Sequence, residues 1–239
     1  MPASKTGPAA PAAWIFPHRQ NWRSVTVLIT ATTIFLLVAY ALAPSLPPRI
    51  GWENGPIENL QVALLLVGGV LALREAYRAE QPVRRCVWWI VAPFWFALAL
   101  RELSWGATMM VPLSVDSVTG PVFSSSQQLL YKWAVAPVLG FLLAVMAVAA
   151  VRWRIDRLLP LLWRQGGLPW LELGLFGICM MVSAATEGHM GLHVPGLDAG
   201  ASQILEEFAE LVAYFFLLLG QWRMRRVLGR CAGSAQGRA

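Results

Sequence analysis

Charge is what this sequence has least of. Only 13% of its 239 residues are Asp, Glu, Lys or Arg, and 57% are hydrophobic. A soluble domain carries about 25% charged residues, so a soluble globular fold is excluded. There are three cysteines, Cys86, Cys179 and Cys231. None falls in an outer loop of the topology derived below, so no structural disulfide is expected. The short alternating segments of a membrane β-barrel are missing. So are a phosphate-binding loop, a dinucleotide fingerprint, a haem motif and any repeat of fixed period.

What is present is a series of long apolar runs separated by short basic stretches. They predict an all-α, polytopic transmembrane helical bundle of about six spans. The expected spans are residues 24–43, 57–73, 86–100, 133–151, 168–186 and 202–221. Residues 1–23, rich in Pro and Ala, read as a flexible cytoplasmic tail, 24–222 as the membrane domain and 223–239 as a basic cytoplasmic tail. Ala41-Leu42-Ala43 looks like a signal-peptidase site, but the run before it is long and Pro44 follows. The first span is therefore expected to be retained as an anchor.

Orientation follows from the basic residues. Of the 19 Lys and Arg, only Arg49, Arg101 and Lys132 fall outside the segments assigned to the inner side. This places both termini in the cytoplasm of a bacterial inner membrane. The net charge of +6 is spread over these inner segments. It reflects orientation and not a nucleic-acid partner; the expected partner is the lipid bilayer.

The acidic residues show the opposite bias. Glu53, Glu58, Glu102, Asp116, Glu187, Asp198, Glu206, Glu207 and Glu210 all lie toward the outer half. Orientation does not require this, because acidic residues contribute little to it. At 1.5 Å per residue, Glu58 lies about 24 Å above Arg74, and Arg101 about 24 Å above Arg85. Glu187 lies about 27 Å above Pro169, and Glu210 only about 20 Å above Arg223. Four spans thus place ionisable groups in one shallow band. Charged groups at membrane depth are costly and face a protein interior or a watery cavity. A shared polar pocket near the outer face is expected.

The pocket can be given candidate roles. Glu206, Glu207 and Glu210 share a helix face, as do Glu58 and Gln61. Arg101 and Glu102 point about 100° apart, so Arg101 is expected to pair with a carboxylate of another span. Glu187-x-His189-x-x-x-His193 has a spacing that suits two zinc ligands if it is helical. Gly188, Gly191 and Pro195 argue instead for a loop. Glu187, Glu207 or Asp198 would supply a carboxylate ligand. In a metal-dependent hydrolase of a lipid or amide, Glu207, Glu210 or Glu102 would do the acid–base work, while Arg101, Glu58 and Ser104 would contact a lipid or small-molecule substrate. No G-x-S-x-G turn surrounds Ser104, so it is not expected to act as a nucleophile. A second reading is a transporter using Glu58, Glu102 and Glu210 as a relay. A third is a non-catalytic assembly partner whose polar groups tie helices together.

Glu102-x-Ser104-Trp105-Gly106, followed much later by Glu206-Glu207-x-x-Glu210, resembles a set of uncharacterised bacterial multispanning proteins. These carry Glu-Glu-x-Ser-Trp-Gly after one span and a Glu-Glu pair opening a late span. Arg101 stands in place of the first Glu. The resemblance implies a membrane fold and no activity. A more distant likeness, through His189 and His193, is to the alkaline-ceramidase-like membrane hydrolases. It implies zinc and hydrolysis, although those proteins have seven spans.

Overall fold

The computed structural model describes residues 22–188 and 194–236. The chain is built almost wholly from helices. They are α1 (Trp22–Leu42), α2 (Pro56–Arg78), α3 (Pro82–Glu102), the short α4 (Ser125–Gln128), α5 (Lys132–Arg152), α6 (Leu158–Arg164), α7 (Trp170–Thr186) and α8 (Ala199–Gln236). One small antiparallel hairpin, β1 (Ser114–Asp116) and β2 (Gly120–Val122), pairs Val115 with Pro121.

Proline marks the helix starts. Pro56 and Pro82 occupy first-turn positions of α2 and α3, where a missing N–H costs nothing. Pro93 and Pro137 instead lie inside the unbroken helices α3 and α5. Among the described residues, four helices are long and apolar enough to cross a membrane: α1, α2, α3 and α5. The fifth expected span, α7, is apolar but has 17 residues. The sixth lies in α8, which has 38 residues and is interrupted by charge at both ends of its apolar stretch. The longest charge-free run there is residues 211–222, about 18 Å of helix. α8 runs on past the expected end of the sixth span at Gln221. No proline follows Pro195, and the helix continues through the basic segment to Gln236.

The core is an assembly of α2, α3, α7 and α8. α2 packs along α3, α7 along α8, and α8 also lies against α2. The largest apolar cluster joins Leu65, Trp88, Ala92, Trp95, Tyr214 and Leu228. Close approach of α2 to α3 needs Gly68, because a Cβ there would meet the Trp95 ring at 2.5 Å. Below the middle of the bundle, Gln221 donates to the Gly68 carbonyl (3.0 Å) and accepts from Trp95 Nε1. Arg223 and Arg225 of α8 reach Glu172 and Glu75, each at 2.9 Å. By contrast, α1 and α5 are peripheral. Of α5 only Met146 is buried, while Trp133, Phe141, Val148 and Val151 are open. A helix apolar on every side and covered on almost none is suited to lipid.

Residues 104–128 are structured, not a bare loop. The hairpin packs on the segment before α2: Trp52 Nε1 donates to the Val118 carbonyl (3.0 Å), and the Phe123 N–H donates to Glu53 (3.0 Å). Gly120 has φ +82°, and a Cβ there would strike the Trp52 ring. Asp116 closes the turn by accepting from Val118 (2.8 Å) and Thr119 (2.9 Å).

Candidate functional site

Four helices meet where polar residues concentrate. On α8, Glu207, Glu210 and Tyr214 follow a three- and four-residue spacing and share one face. On α2, Glu58 sits in the first turn. Its carboxylate reaches back to accept the Asn54 N–H, which ties the helix start to the outer segment. One turn further on, Gln61 Nε2 donates to both the Glu207 carbonyl (2.8 Å) and its carboxylate (2.9 Å). The end of α3 brings Arg101 and Glu102. From α7, Ser183 donates to Glu210 (3.1 Å), and Thr186 in turn donates to the Ser183 carbonyl (2.6 Å).

Arg101 is the only cation in this group among the described residues. Its guanidinium lies 3.7 Å from Glu210, 3.2 Å from Glu102 and 3.1 Å from the Tyr214 hydroxyl. Tyr214 donates to Glu102 at 2.7 Å. The pairing with Glu210 across helices matches the sequence reading. The contact with Glu102 does not. The two side chains leave the helix in different directions, but both are long, and the buried Tyr214 hydroxyl offers them a common meeting point. Arg101 is about half exposed (51%), whereas Glu102 is 7% and Glu210 8% exposed by side chain.

Glu58, Glu102, Glu207 and Glu210 are close enough for each to feel the charge of others in the set. Glu206 stands beside them, near Glu187, Glu207 and Glu210. Gln61 is fully buried, and its Oε1 has no donor among the described residues. That oxygen belongs to the same planar amide whose nitrogen holds Glu207. It is therefore an unsatisfied acceptor at the edge of the carboxylate group.

The remaining candidates divide. Glu187 ends α7 and neighbours both Arg101 and Glu206. His189 and His193 lie outside the described residues. Among the described residues no three His, Cys, Asp or Glu side chains are grouped to hold a metal ion. Ser104 opens a turn of three successive left-handed residues, with φ +45° at Ser104, +61° at Trp105 and +104° at Gly106. Bulky residues rarely adopt this conformation, so surrounding contacts must hold it. Tyr131 donates to the Trp105 carbonyl (2.6 Å), and Lys132 lies 5.3 Å from the Trp105 ring centre. The Ser-Trp-Gly part of the motif thus forms a sharp turn between α3 and the segment that follows it.

Sequence reasoning missed Tyr214 and Ser183 as members of the site. Tyr214 was findable: it follows Glu210 by four residues on the same face. Ser183 carries no local signal, because an apolar helix commonly tolerates one serine.

Outside the spans, three carboxyls are shifted. Burial raises Glu53, opposed by the hydrogen bond from Phe123. Backbone N–H groups of Thr119 and Val118 lower Asp116. The hydrogen bond from Arg154 lowers Asp156.

No protein-family model matches the chain, and no curated protein or solved structure is detectably similar to it.

Proposed function

We propose that this chain is a six-span protein of a bacterial inner membrane, with both termini in the cytoplasm, and that its outward-lying carboxylate cluster binds and releases protons as part of a transport cycle. The observation that carries this reading is the charge imbalance. Glu58 and Glu210, which are buried, and Glu102 and Glu207, which are partly buried, share one region with a single guanidinium among the described residues, and Gln61 Oε1 has no donor among them. Two like charges 4 Å apart repel by about 4 kcal/mol even at an effective dielectric near 20. Four ionised carboxylates against one arginine would be costly, and protons relieve that cost. A proton on one of the carboxyls would also give the Gln61 oxygen a donor. Several interacting carboxyls titrate as a group, which suits stepwise uptake and release.

The metal-hydrolase reading places Glu207 and Glu210 in acid–base roles and draws its metal ligands from Glu187, His189 and His193. It rests on two histidines outside the described residues, whereas the proton reading rests on groups whose contacts are described. Glu58, Glu102 and Glu210 serve as the relay, and Arg101 keeps part of the set ionised.

Infrared difference spectroscopy of the protein in proteoliposomes tests the proposal. A pH step applied to the outer solution is expected to change a protonated-carboxyl band. Glu207→Gln and Glu210→Gln should each remove part of that band. A band that ignores the outer pH, or that is undiminished in both variants, would reject a proton site open to that side.

A further inference from the structure

The outer face also holds a cavity of about 490 Å3, lined by Arg49, Trp52, Glu53, Asn54, Asn59 and Phe123 among others. This is the volume of a small-molecule site, roughly 300–1,000 Å3, and more than a single ion needs. Its walls are held by many short contacts. The Asn59 amide donates to the Asn54 (2.9 Å) and Gly55 (2.7 Å) carbonyls, which holds Asn54 at φ +58°. A Cβ at Gly55 would sit 2.5 Å from the Trp52 carbonyl oxygen. The hairpin forms the far wall through Trp52 with Val118 and Glu53 with Phe123.

Two opposite charges line this cavity and do not pair. Arg49 makes no ion pair with a described carboxylate; its guanidinium sits 6.0 Å from the Trp52 ring centre. Glu53 accepts one backbone N–H and meets no cation among the described residues. Burial raises the Glu53 carboxyl, as expected of an acid without a positive neighbour. Charged side chains that share a cavity and stay apart leave room for a ligand bearing both complements. An aromatic ring beside them favours a cation.

We propose that this cavity binds a small zwitterion, with its oxyanion on Arg49 and its ammonium group between Glu53 and the Trp52 ring. The site stands on its own residues and does not depend on proton exchange at the carboxylate cluster. It is nonetheless linked to that cluster, because Asn54 in its wall donates its N–H to Glu58. The zwitterion has two natural sources: a free small molecule on the outer side, or the head of a zwitterionic phospholipid in the outer leaflet.

Two arms of one experiment separate these sources. In the first, delipidated full-length protein in detergent is titrated calorimetrically with phosphoethanolamine, and with ethanolamine and inorganic phosphate as half-ligands. In the second, lipid retained from nanodiscs of phosphatidylethanolamine and phosphatidylglycerol is counted by native mass spectrometry. Glu53→Gln keeps an acceptor for the Phe123 N–H, so the wall should survive. Arg49→Lys keeps the charge without the fork and should bind at intermediate strength. The proposal expects phosphoethanolamine to bind more tightly than either half-ligand, or phosphatidylethanolamine to be retained over phosphatidylglycerol. In either case Arg49→Ala and Glu53→Gln should each weaken the preference by about tenfold. Binding in the first arm alone assigns a free zwitterion, and retention in the second assigns the lipid head. No preference in either arm, or a preference unchanged in both variants, overturns the site.

Discussion

Arg101 serves three groups at once: Glu102, Glu210 and Tyr214. A guanidinium can do so because its donors are spread over a rigid plane, whereas an ammonium is a point charge. Its side chain is half exposed, so water already shares its stabilisation. Removing one partner of a fully buried pair costs about 3–5 kcal/mol. Here Arg101→Ala should cost about 1.5–3 kcal/mol, the range for hydrogen bonds to charged groups. Arg101→Lys should recover part of that loss. Tyr214→Phe removes a hydroxyl that both accepts from Arg101 and donates to Glu102, and it should destabilise by a similar amount. Thermal unfolding in detergent measures all three. Wild-type melting of both Arg101→Ala and Tyr214→Phe would show that Glu210 is held by Ser183 alone.

Helix α8 behaves as the axis of the assembly. Glu207, Glu210 and Tyr214 serve the half nearer its start, Gln221 its middle, and Arg223 and Arg225 the half nearer its end. Between them these polar residues reach α2, α3 and α7, so α8 is held in register along its length. The helices around it differ in how closely they are packed, and paired substitutions should expose the difference. A methyl group at Gly68 of α2 would meet the Trp95 ring at 2.5 Å. Gly68→Ala should therefore destabilise by about 1–3 kcal/mol through overpacking. Gly140 of α5 has nothing within 4 Å of an added Cβ. Gly140→Ala should be neutral or stabilise by up to about 1 kcal/mol through helix propensity. Melting curves of the two variants in one detergent check the contrast. A large loss at Gly140 would mean that α5 is packed against something other than lipid.

Over the whole molecule, the proposed six-span arrangement makes a direct prediction about access. With Cys231 replaced, single cysteines at Asp116 and Asp198 should react with an impermeant maleimide on intact cells. Cysteines at Arg78 and Asp156 should react only after permeabilisation. Labelling of Asp156 on intact cells would break the arrangement. Cys86 and Cys179 are buried and should give little background. What the sequence by itself determined is the class of fold and the neighbourhood of the site. Long apolar runs, basic residues between them and acidic residues at matching depth are one-dimensional properties, because helix rise converts residue number directly into height. Azimuth and reach cannot be obtained in that way. Which carboxylate faces Arg101, why Arg101 and Glu102 touch although their helix positions diverge, and that Gln61 meets Glu207 all depend on how four helices rotate against one another. The tertiary structure alone decided them, and it alone brought Arg49 and Glu53 to one cavity. That cavity forms because the hairpin at 114–122 folds back onto Trp52 and Glu53, a contact between segments more than sixty residues apart that no local pattern encodes.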